Sequence, residues 1–299
     1  MKTLSKILIF LFVFSFQLSK SQTSILQDKS GEASILISNR NSISINAADA
    51  NITFGMSFAK PKWFIGGATK FKSIDGTSNL LEGYKFNPDV SFSLYGGKIL
   101  KTADSSKSHF IFGNLKLTNT NFNLLIQDNT NTFNSKNFTG LVATLGYNVL
   151  TSINSTPLIY GTSFSFGEVN NIEDLKPVTT FETVQFTSGT DTTTLQKNKK
   201  QGFEGDYLSY TALKFNFDAY FFPQKIGGQI GLGGYVRSQL TGQSKKNNFG
   251  LGIIVGKKGA PDNIVFGLLY QFNDVFNQLE DDNNFIERGG INLVAGYSF

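Results

Sequence analysis

"LKFNFDAYFFPQKIGGQIGLGGYVR", residues 213–237, decides how the rest of the chain is read. Leu213, Phe215, Phe217, Ala219 and Phe221 share one parity, and Lys214, Asn216 and Asp218 share the other. Successive side chains of a strand point to opposite faces, so this strand is apolar on one side and polar on the other. Past Pro223 the pattern resumes with Ile226, Gly228, Ile230, Leu232, Gly234 and Val236 opposed to Gln229 and Arg237. A two-residue turn at Pro223-Gln224 predicts a hairpin in which Phe221 faces Ile226, Asp218 faces Gln229, and Tyr220, Asn216 and Lys214 face glycines. A turn at Lys60-Pro61 in the same way sets Phe58 against Trp63.

Twelve segments alternate in this manner, at 33–45, 51–59, 62–71, 89–100, 109–122, 139–150, 158–167, 208–222, 225–239, 249–256, 263–273 and 290–299. The segments between them are rich in Asn, Asp, Gly, Ser, Thr and Lys, with no helical period and no proline-rich linker, so residues 22–299 read as one domain. In eight strands the apolar parity carries no charge, which suits contact with lipid, where an outward Lys or Arg at mid-bilayer costs about 2–4 kcal/mol. A soluble β-sandwich also alternates, but its strands average about 5–6 residues. The fifth segment is ambiguous: Phe110 and Phe112 compete with Leu115 and Leu117, which implies a bulge.

Connections alternate between short ones, such as "KKGAPD" (257–262), and long ones, above all 168–206. Transmembrane barrels have short periplasmic turns and longer outer loops, and an even strand count leaves both ends on the periplasmic side. "KTADSSKS" (101–108) and "TSINSTP" (151–157) are longer than ideal turns. Within 168–206, "TTFETVQFTSGTDTTTLQ" suggests an added hairpin about Ser188 to Asp191.

Residues 1–21 have the form of a secretory signal: Lys2 and Lys6, then the apolar run Ile7 to Phe16, then Ser19-Lys20-Ser21. The run is too short for a helical span, which needs about 20 residues. Cleavage after Ser21 takes the net charge from +5 to +2, 24 basic less 22 acidic residues, and argues for no nucleic-acid partner. The chain has no Cys, so disulfides and thiolate metal sites are excluded.

The final stretch, "GGINLVAGYSF" (289–299), resembles the closing strand of bacterial outer-membrane β-barrel proteins, in which a terminal Phe, an aromatic residue two places earlier and alternating apolar residues are read by the barrel-assembly machinery. Ile291, Leu293, Tyr297 and Phe299 carry that resemblance. It implies an outer-membrane location, lipid as surroundings, and insertion by that machinery.

No motif of catalysis stands out. His109 is the single histidine and lacks the sequence context of the outer-membrane lipases. "GIIVGKKG" (252–259) departs from a phosphate loop in spacing and context. "LEDDNN" (279–284) lacks Ca²⁺-loop spacing and reads as a solvated loop. No enzyme activity, cofactor or metal is expected.

The fold expected is an all-β, antiparallel up-and-down transmembrane barrel of about twelve strands. Twelve strands with a glycine-rich inner face suggest a modest lumen and a narrow, porin-like passive channel for small hydrophilic solutes. Lys214, Asn216, Asp218, Gln229 and Arg237 are the candidate lumen-lining residues, with Tyr210 covering Arg237 across the hairpin. The alternative is a non-conducting barrel that serves as a surface-binding platform or as a subunit of an envelope complex, with an envelope protein as partner.

Overall fold

The computed structural model describes residues 42–48, 51–72, 81–82, 85–86, 89–101, 107–126, 132–188, 191–223, 229–242, 245–257, 260–278 and 289–298. Residues 1–21, the acidic stretch 279–284 and Phe299 therefore lie outside the described residues. The strands are β1 (Ser42–Ala48), β2 (Asn51–Ala59), β3 (Trp63–Lys72), β4 (Leu81–Glu82), β5 (Lys85–Phe86), β6 (Asp89–Lys101), β7 (Ser108–Ile126) and β8 (Thr132–Ile153). They continue with β9 (Thr156–Asn170), β10 (Lys176–Ser188), β11 (Asp191–Glu204), β12 (Ser209–Phe221), β13 (Ile230–Gln239), β14 (Asn247–Lys257), β15 (Ala260–Phe272) and β16 (Gly289–Ser298).

Hydrogen-bonded neighbours run β7, β6, β3, β2, β1, β16, β15, β14, β13, β12, β9 and β8, and β8 pairs again with β7, so twelve strands close a ring. Every pairing in the ring is antiparallel. The seam is β1 against β16, from Ser42 beside Ser298 to Ala48 beside Asn292. Closure at this seam leaves no open edge within the membrane. A row of partners leaves Phe64 near the start of β3, passes Gly97, Phe112, Gly146 and Ser163, and reaches Arg237 near the far end of β13. That climb is the strand tilt that barrel closure requires.

Sidedness follows the alternation. Phe54, Met56 and Phe58 of β2, Phe92 and Leu94 of β6, Leu141 and Leu145 of β8, Phe164 and Phe166 of β9, and Leu232 of β13 are all exposed on the outside, Leu145 to 72%. Soluble monomers rarely expose contiguous apolar surface beyond about 300–600 Å², and this band continues around the wall. Toward the long-loop end it carries aromatic pairs, Phe54 with Phe71 and Phe164 with Phe215. Toward the short-turn end it carries Trp63, Tyr147 and Tyr160. An apolar band flanked by aromatic girdles is the exterior of a transmembrane β-barrel, and this chain folds as one.

Four local expectations are corrected. The fifth wall strand, β7, pairs with both neighbours without a bulge: Phe110 and Phe112 point inward while Ile111, Leu115 and Leu117 point to lipid. The β12–β13 register is shifted by six residues from a turn at Pro223-Gln224, so Phe221 faces Leu232 and Asp218 faces Tyr235 rather than Gln229. Phe58 meets Ile65, not Trp63, because the turn is Pro61-Lys62, with Lys60 N donating to Trp63 O at 2.8 Å. "TSINSTP" holds a two-residue turn, Asn154 and Ser155, whose φ values of 48° and 63° match the left-handed pair that hairpin twist favours.

Beyond the membrane, the β7–β8 ladder continues to Ile126 beside Thr132. The neighbouring ladders stop earlier, β6 at Val90 beside Asn119 and β9 at Gly167 beside Val142. A two-stranded extension therefore stands about 20 Å above the wall at about 3.3 Å per residue.

Candidate functional site: the barrel interior and its outer mouth

The inward face alternates glycine with bulky residues, and the bulk fills the space that the glycines leave. Phe64, Tyr95, Phe110, Phe112, Ile159, Tyr220, Phe222, Tyr235, Ile254 and Leu269 form one buried cluster in the half of the barrel nearest the short turns. A Cβ on Gly66 would come within 2.5 Å of the Tyr95 ring, so the ring lies flat over that glycine. Its hydroxyl donates to Met56 O at 3.2 Å. Tyr220 likewise faces Gly233 across the β12–β13 pair. In this half of the barrel the inner glycines accommodate an aromatic floor.

Above the floor lies a polar tier. Arg237 Nη2 donates to Asp218 Oδ1 at 2.7 Å, and the two side chains are 5% and 0% exposed. Arg237 Nη1 also donates to the carbonyls of Phe217 and Val236, at 3.2 and 3.1 Å. Two charges so deeply enclosed persist only when paired and hydrogen-bonded. The guanidinium sits 4.5 Å from the Tyr235 ring centroid. Tyr235 Oη donates to Gln271 Oε1 at 2.6 Å, and Asn292 Nδ2 donates to both at 3.2 Å, joining β13, β15 and β16. Asn216 Nδ2 donates to Ser163 Oγ at 3.2 Å.

Of the residues singled out from sequence, Asn216, Asp218 and Arg237 come together inside the wall. Lys214 is half-buried opposite Gln239. Gln229 stands at the short-turn rim, where its carbonyl accepts from Gly256 N at 2.6 Å. Tyr210 does not cover Arg237: the six-residue register shift puts Asn216 opposite Arg237, Tyr210 accepts from Gln239 Nε2 at 3.1 Å, and Tyr235, two residues earlier on β13, lies against the guanidinium. Ile291 and Leu293 are exposed on the outer wall, flanking the buried Asn292. Tyr297 pairs with Ile43 at the seam. Sequence reading placed Tyr220 on the inner face and missed Tyr235, Ile254 and Leu269 as interior residues. Their signal was present: Tyr235 lies across a strand pair from Gly250, Ile254 from Gly231 and Leu269 from Gly252.

At the outer mouth the segment 168–206 folds as the hairpin β10–β11, closed by Ser188 beside Asp191. Its root is held by a second apolar cluster. Ile172 and Leu175 pack with Phe122 and Phe138 of the extended β7–β8 ladder, with Leu124, Phe203 and Tyr207 around them. A single parallel bridge, Phe203 to Leu124, joins β11 to β7. Asn171 pins the return: its Oδ1 accepts from Leu208 N at 2.7 Å and its Nδ2 donates to Asp206 O at 2.9 Å. Burial raises the Tyr207 phenol above its usual 10, against a hydrogen bond with Asn170. Lys246, in the β13–β14 connection, pairs with Asp174 beside the root.

His109 lies on the outer wall, hydrogen-bonded through Nδ1 to the Tyr147 hydroxyl. Among the described residues no group of three or more His, Cys, Asp or Glu is placed to hold a metal.

No family model matches the chain, and no curated protein matches it in sequence. Two solved structures are similar in outline. The translocator domain of autotransporter NalP from Neisseria meningitidis is 10% identical, with 87% of each chain covered and a TM-score of 0.43. The β domain of the Bordetella autotransporter Brka is 10% identical over 87% of this chain and 98% of its own, with a TM-score of 0.34.

Proposed function

We propose that this outer-membrane barrel conducts nothing and serves as a membrane platform for the β7–β8 extension and the β10–β11 hairpin, which engage an external ligand or an envelope protein. The observation that carries this reading is the aromatic floor, with Phe110, Phe112, Tyr220, Phe222 and Tyr235 each at most 1% exposed across the interior. An aqueous path needs side chains that water can reach, and these floor residues offer almost none. The narrow passive channel for small solutes is the second reading, and the buried tier of Asn216, Asp218 and Arg237 is the feature in its favour. The role is non-enzymatic in either case. Export by residues 1–21 and insertion by the barrel-assembly machinery, through Ile291, Leu293, Tyr297 and Phe299, belong to the same proposal.

Single-channel recording of the purified protein in a planar bilayer tests it. The platform reading expects a silent bilayer from the native chain and new conductance from a Phe112→Ala, Tyr220→Ala, Phe222→Ala triple variant. Ohmic steps from the native chain would sink the platform and restore the channel.

A further inference from the structure

The two rims of the barrel differ in charge. At the short-turn rim Lys60, Lys62, Lys98 and Lys107 are exposed. The long-loop side mixes the two signs, with Glu168, Asp174, Glu204, Asp206 and Asp274 among Lys116, Lys136, Lys176, Lys245 and Lys246. The distribution matters because of where two of the basic residues stand. Lys98 lies directly opposite Trp63 in the β3–β6 pair, and opposite residues of an antiparallel pair share a face. Trp63 is exposed on the outside, and so is Lys98, one pairing step from the outward Ile111. Lys60 and Lys62 flank the Pro61 turn just below, held by Lys60 N to Trp63 O and by Ile99 N to Lys62 O at 2.9 Å.

Ile65 and Phe58, the next outward pair above Trp63, belong to the apolar band. Trp63 and Lys98 therefore sit where the hydrocarbon ends and headgroups begin. An indole favours that boundary, and an ammonium on a long stem beside it reaches a phosphate. We propose that the short-turn rim around Trp63, Lys60, Lys62 and Lys98 binds the phosphate headgroups of anionic phospholipids in the periplasmic leaflet. Basic residues clustered at a membrane surface each favour anionic lipid by about 1 kcal/mol, close to a fivefold preference per charge. This inference rests on the lipid-facing reading of the wall.

Trp63 is the single tryptophan of the chain, so its fluorescence reports on this place alone. The full chain is reconstituted in phosphatidylcholine vesicles containing either dibrominated phosphatidylglycerol or dibrominated phosphatidylcholine. Stronger quenching by the anionic lipid is expected, equivalent to at least the roughly fivefold tighter association of a single charge. The preference falls to parity near 1 M salt, where charges are screened within about 3 Å. A Lys60→Gln, Lys62→Gln, Lys98→Gln variant reaches parity at low salt while both lipids still quench. Equal quenching of the native chain by the two lipids overturns the proposal and turns the collar toward a soluble polyanion. A preference unchanged in the triple variant also overturns it. Quenching by neither lipid removes the membrane reading itself, a result distinct from parity.

Discussion

Arg237 and Asp218 meet at 2.7 Å inside the barrel, from strands β13 and β12, with almost no solvent contact. Removing one partner leaves a buried charge without its counter-ion, at a cost of about 3–5 kcal/mol. Asp218→Leu and Arg237→Met are each expected to lower the urea midpoint of the refolded barrel markedly. The double variant recovers most of the loss, because two apolar side chains need no counter-ion. Additive losses would show that the two residues act separately.

Leu145 distinguishes lipid from water outside the wall. It is 72% exposed in the middle of an outward run on β8. Leu145→Arg costs about 2–4 kcal/mol if hydrocarbon surrounds it. On a soluble surface the same change falls within about 0.5 kcal/mol. Unfolding titrations in lipid vesicles separate the two.

Gly66 and Tyr95 test the floor. A methyl at position 66 displaces the Tyr95 ring and its hydrogen bond to Met56 O. Gly66→Ala is expected to destabilise by about 1–3 kcal/mol through overpacking. Combining it with Tyr95→Val should cost less than the two changes added, since they share one contact. A fully additive double variant argues against the stacked arrangement.

Leu175 and Phe203 anchor the root of the β10–β11 hairpin. Leu175→Ala and Phe203→Ala are expected to speed protease cleavage within 176–204 on intact cells without altering the heat-dependent mobility of the barrel. Loss of the barrel itself would make this cluster part of the global fold.

The final residue tests the route into the membrane. Deleting Phe299 is expected to reduce the amount of assembled barrel in outer-membrane fractions while the refolded protein keeps its stability. Unchanged assembly would set aside the terminal signal.

The alternation in the sequence determined which side chains face lipid, how many strands form the wall, and that a hairpin would close near Ser188 and Asp191. Each is a local property, because side-chain sidedness has period two and turns declare themselves in their own residues. Register lay beyond that reach: moving β13 by six residues along β12 keeps every side chain on its face, so alternation permits both pairings equally. What selects one is packing inside the closed ring, where Tyr220 takes the space beside Gly233 and Tyr235 the space beside Gly250. The same packing turned inward glycines from apparent room into seats for aromatic rings, and the register it selects put Asn216 rather than Tyr210 opposite Arg237. Tertiary structure alone decided this, since filling a volume depends on residues from many strands at once, whereas facing a solvent depends on one strand at a time.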